Sequence, residues 1–225
     1  MNRASILQAL DLSASAYRDV QPWSQNTCLG TAENASVGVQ CYLRTQDDVL
    51  LITFRGTASP QGWKTDFAFR KKTIPYGNAN SPIRVHSGFL RAYKAPGVRD
   101  SILRAVGPGI RSVKITGHSL GAALAVLCAV DIQYNFPRRD IEVVLFGCPR
   151  VGNQAFVRSY NQRVNKTVRV ENGNDIVTRL PFSCMGFRHV GARLHIGCLR
   201  LPFFLCREDH YPVRYLEGLI NGGSL

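Results

Sequence analysis

The sequence lacks the long apolar runs of membrane-spanning chains. Its longest apolar stretch begins at Leu120 and stops at Asp131, well short of the ~20 residues that cross a bilayer as a helix. The first twenty residues carry no continuous apolar core of a secretory signal, since Ile6, Leu7 and Leu10 instead fit one face of an amphipathic helix. These absences predict an intracellular, most simply cytoplasmic, protein without a membrane span.

Cysteines are too irregular in number and spacing for a disulfide framework or a zinc site. The seven thiols are odd in number, and none forms a C-x-x-C pair. We therefore expect no metal and no cofactor. The pattern favours buried free thiols in a reducing compartment, with a single bridge between Cys28 and Cys41 as the alternative.

Acidic residues are scarce relative to basic ones. The 28 Lys and Arg residues outnumber the 15 Asp and Glu residues, which gives a formal net charge of +13. A basic surface suits nucleic acid, anionic lipid head groups, or a merely solvated exterior. Zinc-finger spacing, RNP-like aromatic strands and recognition-helix signatures are all missing from the sequence. We expect no nucleic-acid partner, and we retain peripheral contact with an anionic membrane or micelle surface beside the solvated exterior.

The feature that organises the chain is the pentapeptide Gly117-His118-Ser119-Leu120-Gly121. A β-branched run, 113–116, precedes it, and a stretch rich in Ala and Leu and of helical length, 122–133, follows it. Glycines two residues either side of a serine permit a sharp turn between a strand and a helix. The pattern predicts a nucleophile elbow with Ser119 as the nucleophile; an ordinary turn that happens to contain serine is the alternative.

Strand-like and helix-like segments alternate along the rest of the chain. The expected strands are 39–44, 49–54, 113–116, 141–146, 167–171 and 189–196; the expected helices are 2–20, 87–106 with an interruption near 96–97, 122–133, 153–164 and a C-terminal helix. Segments 21–37 and 58–82 are interpreted as irregular or rich in turns. The βαβαβ alternation predicts one α/β domain over residues 1–225, with a mostly parallel central sheet and helices on both faces.

The chain order Ser, acid, His of this kind of fold selects the partners of Ser119. Asp175 comes just past the expected strand 167–171, where ligands lie in open α/β sheets. Of the five histidines, His210 follows the last expected strand and is chosen by elimination, with a solvated loop residue as the alternative. The other four are His118 beside the nucleophile, His86 upstream of it, and His189 and His195 on the polar face of an expected strand.

A second candidate group lies at the end of strand 49–54. Gly56 and Thr57 follow this strand directly, so a backbone N–H and a hydroxyl lie at the edge of the sheet where ligands bind. Thr57 is therefore a candidate donor to an oxyanion, and an ordinary turn is an equal alternative.

Six segments in this order resemble the successive motifs of the class 3 (fungal-type) lipases. They are 53–57 (TFRGT), 63–66 (WKTD), 85–89 (VHSGF), 116–122 (TGHSLGA), 147–153 (GCPRVGN) and 174–181 (NDIVTRLP). The resemblance, which runs from about residue 16 to 218, implies an α/β-hydrolase fold and hydrolysis of acylglycerols or related lipid esters. It implies Thr57 and Leu120 as oxyanion-hole residues, supports Ser119, Asp175 and His210 as the triad, and suggests a structural role for His86.

One segment departs from the family pattern. Where the family carries a lid helix, this chain has residues 59–63, in which Pro60 and Gly62 disfavour a long amphipathic helix. The apolar run 199–206, ahead of His210, is interpreted either as a rim that contacts lipid or as core.

Together these features predict a serine carboxylic-ester hydrolase, a triacylglycerol lipase or esterase that works without a cofactor through an acyl-enzyme. Phospholipase A1-type hydrolysis or acyl transfer would use the same residues with another head group or acceptor. A non-catalytic lipid-binding module is the alternative of another class. The sequence leaves the oligomeric state open.

Overall fold

A computed structural model of the protein describes residues 1–18, 28–57, 71–74, 78, 80–200 and 206–221. In these residues the strands are β1 (Cys28–Asn34), β2 (Val39–Gln46), β3 (Val49–Phe54), β4 (Lys71–Thr73), β5 (Arg84–His86), β6 (Ser112–His118), β7 (Asp140–Phe146), β8 (Lys166–Asn172) and β9 (Ala192–Ile196). The helices are α1 (Arg3–Ser15), α2 (Ser87–Tyr93), α3 (Arg99–Ala105), α4 (Leu120–Asn135), α5 (Gln154–Arg163) and α6 (Pro212–Asn221).

The main sheet has the strand order β1-β2-β3-β6-β7-β8-β9. Strands β3, β6, β7, β8 and β9 run parallel to one another, and β1 and β2 add an antiparallel edge next to β3. The expected mostly parallel sheet is therefore confirmed. Its parallel strands all end at one edge, and this edge carries Gly56, Ser119, Gly147 and Asp175.

Helices cover both faces of the sheet, as expected. On one face, α2, α3, α4 and α5 pack over a large apolar core, and the residues of α4 from Gly121 to Ala129 are all buried. On the other face, α1 and α6 pack against β7, β8 and β9 through Leu10, Phe146 and Tyr215. The Ala-rich composition of α4 lets this helix lie close to the strands on every side.

Four element predictions were wrong. Segment 21–37 contains β1, the edge strand of the described sheet, whose polar residues are tolerated because no other strand of the described residues pairs with its outer side. Segment 58–82 contains β4, which pairs with β5 in a two-stranded sheet. The last strand begins at Ala192 and not at His189, and α1 ends at Ser15 and not at residue 20.

The cysteines follow the prediction in part. Cys128 and Cys148 are buried free thiols, whereas Cys184 and Cys198 are free and exposed. In the pairing of β1 with β2, Cys28 lies opposite Arg44 and Cys41 lies opposite Ala32. Arg44 and Cys41 are three residues apart along β2, about 10 Å, so the alternative bridge between Cys28 and Cys41 is excluded by the reach of a disulfide. Among the described residues, no helix combines the length and apolar character needed to cross a membrane.

Candidate active site

The turn between β6 and α4 has the strained geometry expected of a nucleophile elbow. Ser119 has φ 60° and ψ −126°, a conformation that L-residues rarely adopt. A methyl group on Gly117 would lie 2.5 Å from the carbonyl carbon of Gly121, and one on Gly121 would lie 2.4 Å from the carbonyl oxygen of Phe54. Both glycines are required because the turn is packed against β3 and against itself.

The elbow offers a backbone donor at Leu120 to a ligand. The N–H of Ser119 is already used, because it donates to the carbonyl of Phe146 at 3.0 Å. Leu120 is the first residue of α4, so its N–H has no acceptor within the helix. The positive end of the helix dipole adds to the attraction for a negative oxygen at this place. Leu120 therefore fits the oxyanion role that the family resemblance implies.

The acid and the base of the predicted triad lie together. Asp175 follows β8, and its side chain is wholly buried. Oδ2 of Asp175 lies 2.8 Å from Nδ1 of His210 and accepts a hydrogen bond from the Tyr215 hydroxyl at 2.5 Å, while Oδ1 accepts from the N–H of Val177 at 2.8 Å. Three donors thus surround one carboxylate, which fixes its orientation toward the imidazole.

His118 connects the base to the elbow. Its Nε2 lies 2.7 Å from the carbonyl oxygen of His210, its Nδ1 lies 2.7 Å from the hydroxyl of Tyr17, and the two imidazole rings are 4.4 Å apart. Burial, with the neighbouring His210 as the second cause, lowers the pKa of His118 well below its ordinary value. A neutral ring with Nε2 donating to a carbonyl must accept at Nδ1, so the Tyr17 hydroxyl is the donor there.

Gly56 and Gly147 lie so close to the site that a side chain at either position would collide with it. A methyl group on Gly147, where φ is +57°, would lie 2.7 Å from Cε1 of His210 and 3.1 Å from Oδ2 of Asp175. A methyl group on Gly56 would lie 2.7 Å from the carbonyl oxygen of His118. The backbone before Thr57 is therefore in contact with the elbow, and the partly exposed Thr57 follows it at the same edge.

Sequence reasoning missed the residues that hold the acid and the base in place. Tyr215 belongs to α6 and Tyr17 follows α1, so both reach the site from the far face of the sheet and no local motif indicates them. Asp209 was missed as well; its carboxylate accepts from the N–H of Asn174 at 2.8 Å and pairs with Arg200. Burial raises the pKa of the Tyr215 phenol well above its ordinary value, and the Asp175 carboxylate adds to this.

The structure corrects the placement of His189. This residue lies ahead of β9 and is partly buried; its Nε2 donates to the carbonyl of Thr178 at 2.8 Å and lies 3.8 Å from Oε1 of Glu171. Burial lowers the pKa of His189 to about 3. His195 does lie on β9, with Nδ1 3.0 Å from a guanidinium nitrogen of Arg193. The alternation that predicted a longer strand fails because the chain turns at Gly191, where φ is +68°.

His86 is the last residue of β5 and the N-cap of α2, and it is buried there. Its Nδ1 accepts from the N–H groups of Gly88 at 3.1 Å and Phe89 at 3.3 Å, and its ring stacks on that of Phe89 at 4.1 Å. Burial lowers the pKa of His86 to about 4. These contacts are those of a helix cap, which agrees with a structural role.

We expect His86 to make the stability of the fold sensitive to acid. Because its pKa is lower in the folded chain than in the unfolded one, its contribution is complete above the ordinary value near 6.5 and is lost as the pH falls toward 4. Between pH 7.5 and 4.5, the parent chain should lose about 2 kcal/mol more unfolding free energy than the His86→Asn variant. Asparagine is chosen because it also caps a helix but does not titrate in this range.

Urea unfolding at the two pH values measures this difference. His195→Asn is the matched control, because His195 is only half-buried and its pKa is lowered less. An equal loss in the parent chain and in His86→Asn would contradict the prediction.

The lid segment 59–63 and residues 201–205 of the apolar run 199–206 lie outside the described residues. Their expected roles stay predictions.

Comparison with known proteins gives a consistent assignment. The family model described as Lipase (class 3) matches residues 51–185. A chloroplastic phospholipase A(1) of Arabidopsis thaliana is 36% identical over 149 residues, which are 59% of this chain and 33% of that protein. The secreted mono- and diacylglycerol lipase 1 of Fusarium solani is 31% identical over 168 residues, 72% of this chain and 48% of that protein. The chain thus spans only a third to a half of these two relatives.

Solved structures share the architecture. A Rhizomucor miehei triacylglyceride lipase superimposes with a TM-score of 0.78 and 24% identity over 92% of both chains. The mostly parallel sheet, the helices on both faces and the elbow are those of the α/β-hydrolase fold, which confirms the expected fold class. Because the family model matches more than half of the length of this chain, the chain belongs to the class 3 lipase family.

Proposed function

We propose that this chain is a carboxylic ester hydrolase that acts on lipid esters, with Ser119 as nucleophile, His210 as general base and acid, and Asp175 as the residue that orients His210. The observation that carries the proposal is the buried contact of 2.8 Å between Asp175 Oδ2 and His210 Nδ1 beside the strained Ser119. Family membership supports it, because the relatives named above are lipases and a phospholipase.

The reaction follows from the chemistry of these groups. Nε2 of His210 takes the proton of the Ser119 hydroxyl while Oγ attacks the ester carbonyl carbon, and the carbonyl oxygen becomes an oxyanion. The N–H groups of Leu120 and Thr57 hold this oxyanion. As the carbon–oxygen bond breaks, His210 gives its proton to the leaving alcohol. Water then attacks the acyl-enzyme by the same steps, which releases the fatty acid and restores Ser119.

The neutral state of His118 serves this cycle. His210 gains a positive charge in each transition state, and a second imidazolium 4.4 Å away would oppose that charge. Because burial keeps His118 neutral, it holds the backbone of His210 without electrostatic cost.

Phospholipase A1-type hydrolysis is the second candidate function. The similarity to a phospholipase A(1) favours it, and the net charge of +13 suits peripheral contact with an anionic membrane or micelle surface. Acyl transfer differs only in the acceptor of the second step.

Hydrolysis of a defined set of esters tests these candidates. The set comprises p-nitrophenyl esters from butyrate to palmitate, a triacylglycerol emulsion, and phosphatidylcholine vesicles with and without anionic lipid. Turnover of the phospholipid above that of the triacylglycerol would favour the phospholipase. Silence on every ester would contradict hydrolysis and favour the non-catalytic lipid-binding module.

Tyr215→Phe is expected to lower both stability and kcat. The substitution removes a hydrogen bond to a buried carboxylate, so the free energy of unfolding should fall by about 1.5–3 kcal/mol. Since Asp175 then orients His210 with one contact fewer, kcat should fall by up to about tenfold. Steady-state kinetics and urea unfolding measure the two effects.

Tyr160→Phe is the matched control. Tyr160 is another buried tyrosine, and its hydroxyl lies 3.0 Å from Oγ1 of Thr167, away from Asp175. We expect this variant to lose stability and to keep kcat. Equal kcat values for the two variants would exclude an orienting role of Tyr215.

A further inference from the structure

Two residues outside the triad hold the loop that carries Asp175. We call residues 175–181, which follow β8, the acid loop. The last four backbone carbonyls of this loop all accept hydrogen bonds from His189 or Arg150, and they belong to Thr178, Arg179, Leu180 and Pro181. Because backbone polar groups away from water need partners, these contacts favour one conformation of the loop.

Arg150 holds the end of the acid loop. Its backbone N–H donates to the carbonyl of Leu180 at 2.7 Å. Its partly buried guanidinium donates to the carbonyl of Pro181 at 2.9 Å and to that of Arg179. Arg150 comes three residues after Gly147, the glycine that lies against the Asp175 carboxylate and the imidazole of the base. The end of the loop is therefore tied to the segment that leads from β7 past the site.

His189, which precedes β9, holds the middle of the acid loop. Its Nε2 donates to the carbonyl of Thr178 at 2.8 Å, and the Thr178 hydroxyl donates to the backbone carbonyl of Asp175 at 2.8 Å. Two hydrogen bonds thus join His189 to the backbone of the acid. Burial lowers the pKa of His189 to about 3, so the ring is neutral and carries one proton. The contact with a carbonyl places this proton on Nε2.

An ion network on β8 and β9 holds His189 in its place. The buried carboxylate of Glu171 accepts from Arg169 at 2.9 Å and from Arg193 at 2.8 Å, and its Oε1 lies 3.8 Å from Nε2 of His189. The guanidinium of Arg169 also donates to the backbone carbonyl of Val190, the next residue in the chain, at 2.6 Å. The ring is therefore anchored to β8, the strand that the acid loop follows.

We propose that His189 and Arg150 are positioning residues for Asp175: by holding the carbonyls of the acid loop, they keep Oδ2 of Asp175 in place for Nδ1 of His210. The inference rests on the proposed function, since it takes Asp175 to be the residue that orients His210. A displacement of about 1 Å at a catalytic group can lower a rate a hundredfold, so the loss of either hold should lower kcat.

Substitution of His189 tests the first hold. His189→Leu removes the donor to Thr178 and should lower kcat for p-nitrophenyl butyrate by about tenfold to a hundredfold, with little change in KM. His189→Gln keeps an N–H donor at a similar reach and should restore kcat to within about threefold of the parent value. His195→Leu is the matched control, because His195 lies on β9 with its Nδ1 on Arg193; its kcat should stay within about twofold of the parent value.

Arg150→Met tests the second hold, and it carries the test if the melting temperature shows that His189→Leu is not folded. We expect kcat to fall about tenfold at a nearly unchanged KM. Arg188→Met is the matched control. The guanidinium of Arg188 also donates to two backbone carbonyls, those of Ser183 at 2.7 Å and Phe187 at 2.8 Å, but both lie outside the acid loop.

The proton on Nδ1 of His210 gives a readout that does not depend on turnover. A short hydrogen bond to a carboxylate moves the NMR signal of this proton far downfield. We expect the signal to move upfield or to broaden in His189→Leu and Arg150→Met, and to persist in both controls. If the folded variants kept the parental kcat, the proposal would be overturned. If the parent chain hydrolysed no ester, the proposed function would fail, and an unchanged signal in the two variants would then overturn this inference separately.

Discussion

Replacing Ser119 by alanine is expected to lower kcat for ester hydrolysis by about 10⁶-fold. The substitution removes the oxygen that attacks the carbonyl, and no neighbouring group of the elbow replaces it: the preceding His118 uses both ring nitrogens in hydrogen bonds to Tyr17 and to the carbonyl of His210. Turnover that remains must come from water activated by His210 and from the oxyanion donors alone.

The fold should tolerate this substitution. Ser119 has φ 60°, and alanine adopts this conformation at about the same cost as serine. We therefore expect the melting temperature of Ser119→Ala to stay within a few degrees of that of the parent chain, so that the loss of kcat is a loss of chemistry and not of folded protein.

Ser13→Ala is the matched control for this measurement. Ser13 is another fully buried serine, and its Oγ lies 2.8 Å from Oγ1 of Thr116 beneath β6. Its loss should cost about 1 kcal/mol of stability and leave kcat unchanged. A Ser119→Ala chain that keeps more than about 1% of the turnover, against an expected 10⁶-fold loss, would exclude Ser119 as the nucleophile.

The elbow could be predicted from the sequence because its determinants are local. The conformation of Ser119 depends on the two glycines beside it, and these glycines are visible in one pentapeptide. The parallel direction of the central strands then follows from the βαβ alternation, so the carboxyl end of β8, after which Asp175 lies, was expected at the same edge as the elbow. His210 required elimination among five histidines, since nothing in its own neighbourhood marks it.

The supporting residues could not be predicted, because their contacts are long-range. Tyr17 follows α1 and Tyr215 belongs to α6, at opposite ends of the chain, and only the packing of α1 beside α6 on one face of the sheet places both near His118. The failure at β1 has another cause. An edge strand is stabilised by backbone pairing with one neighbour, so its side chains need not alternate between apolar and polar.

Asp175→Asn is expected to lower kcat by about 10⁴-fold, the size of effect seen when the acid of a serine protease triad becomes an amide. The carboxylate accepts three hydrogen bonds, from Val177, His210 and Tyr215. An asparagine side chain has a single acceptor oxygen, and we expect the N–H of Val177 to donate to it, as it does to Oδ1 of Asp175. Its NH₂ group then faces Nδ1 of His210 as a donor.

The consequence of this exchange is a change of tautomer. When Nδ1 of His210 must accept from an amide, the proton of the neutral ring moves to Nε2. Nε2 is the atom that takes the proton of Ser119 in the proposed mechanism, and once protonated it has no lone pair for that proton. We therefore expect kcat to fall steeply while the chain stays folded. The kcat for p-nitrophenyl butyrate measures the loss of activity, and the melting temperature shows whether the fold is kept.

Asp209→Asn separates this effect from the general loss of a buried carboxylate. Asp209 is the neighbour of His210 in the chain and is 5% exposed, but its carboxylate is engaged by the N–H of Asn174 and by Arg200 and does not touch the imidazole. An asparagine there weakens the loop that carries His210 without changing its tautomer, so the melting temperature should fall while kcat stays within about tenfold of the parent value. If Asp175→Asn and Asp209→Asn lowered kcat to the same extent, the prediction would be wrong. Asp175 would then act by keeping the loop of His210 ordered and not by fixing the tautomer of its imidazole.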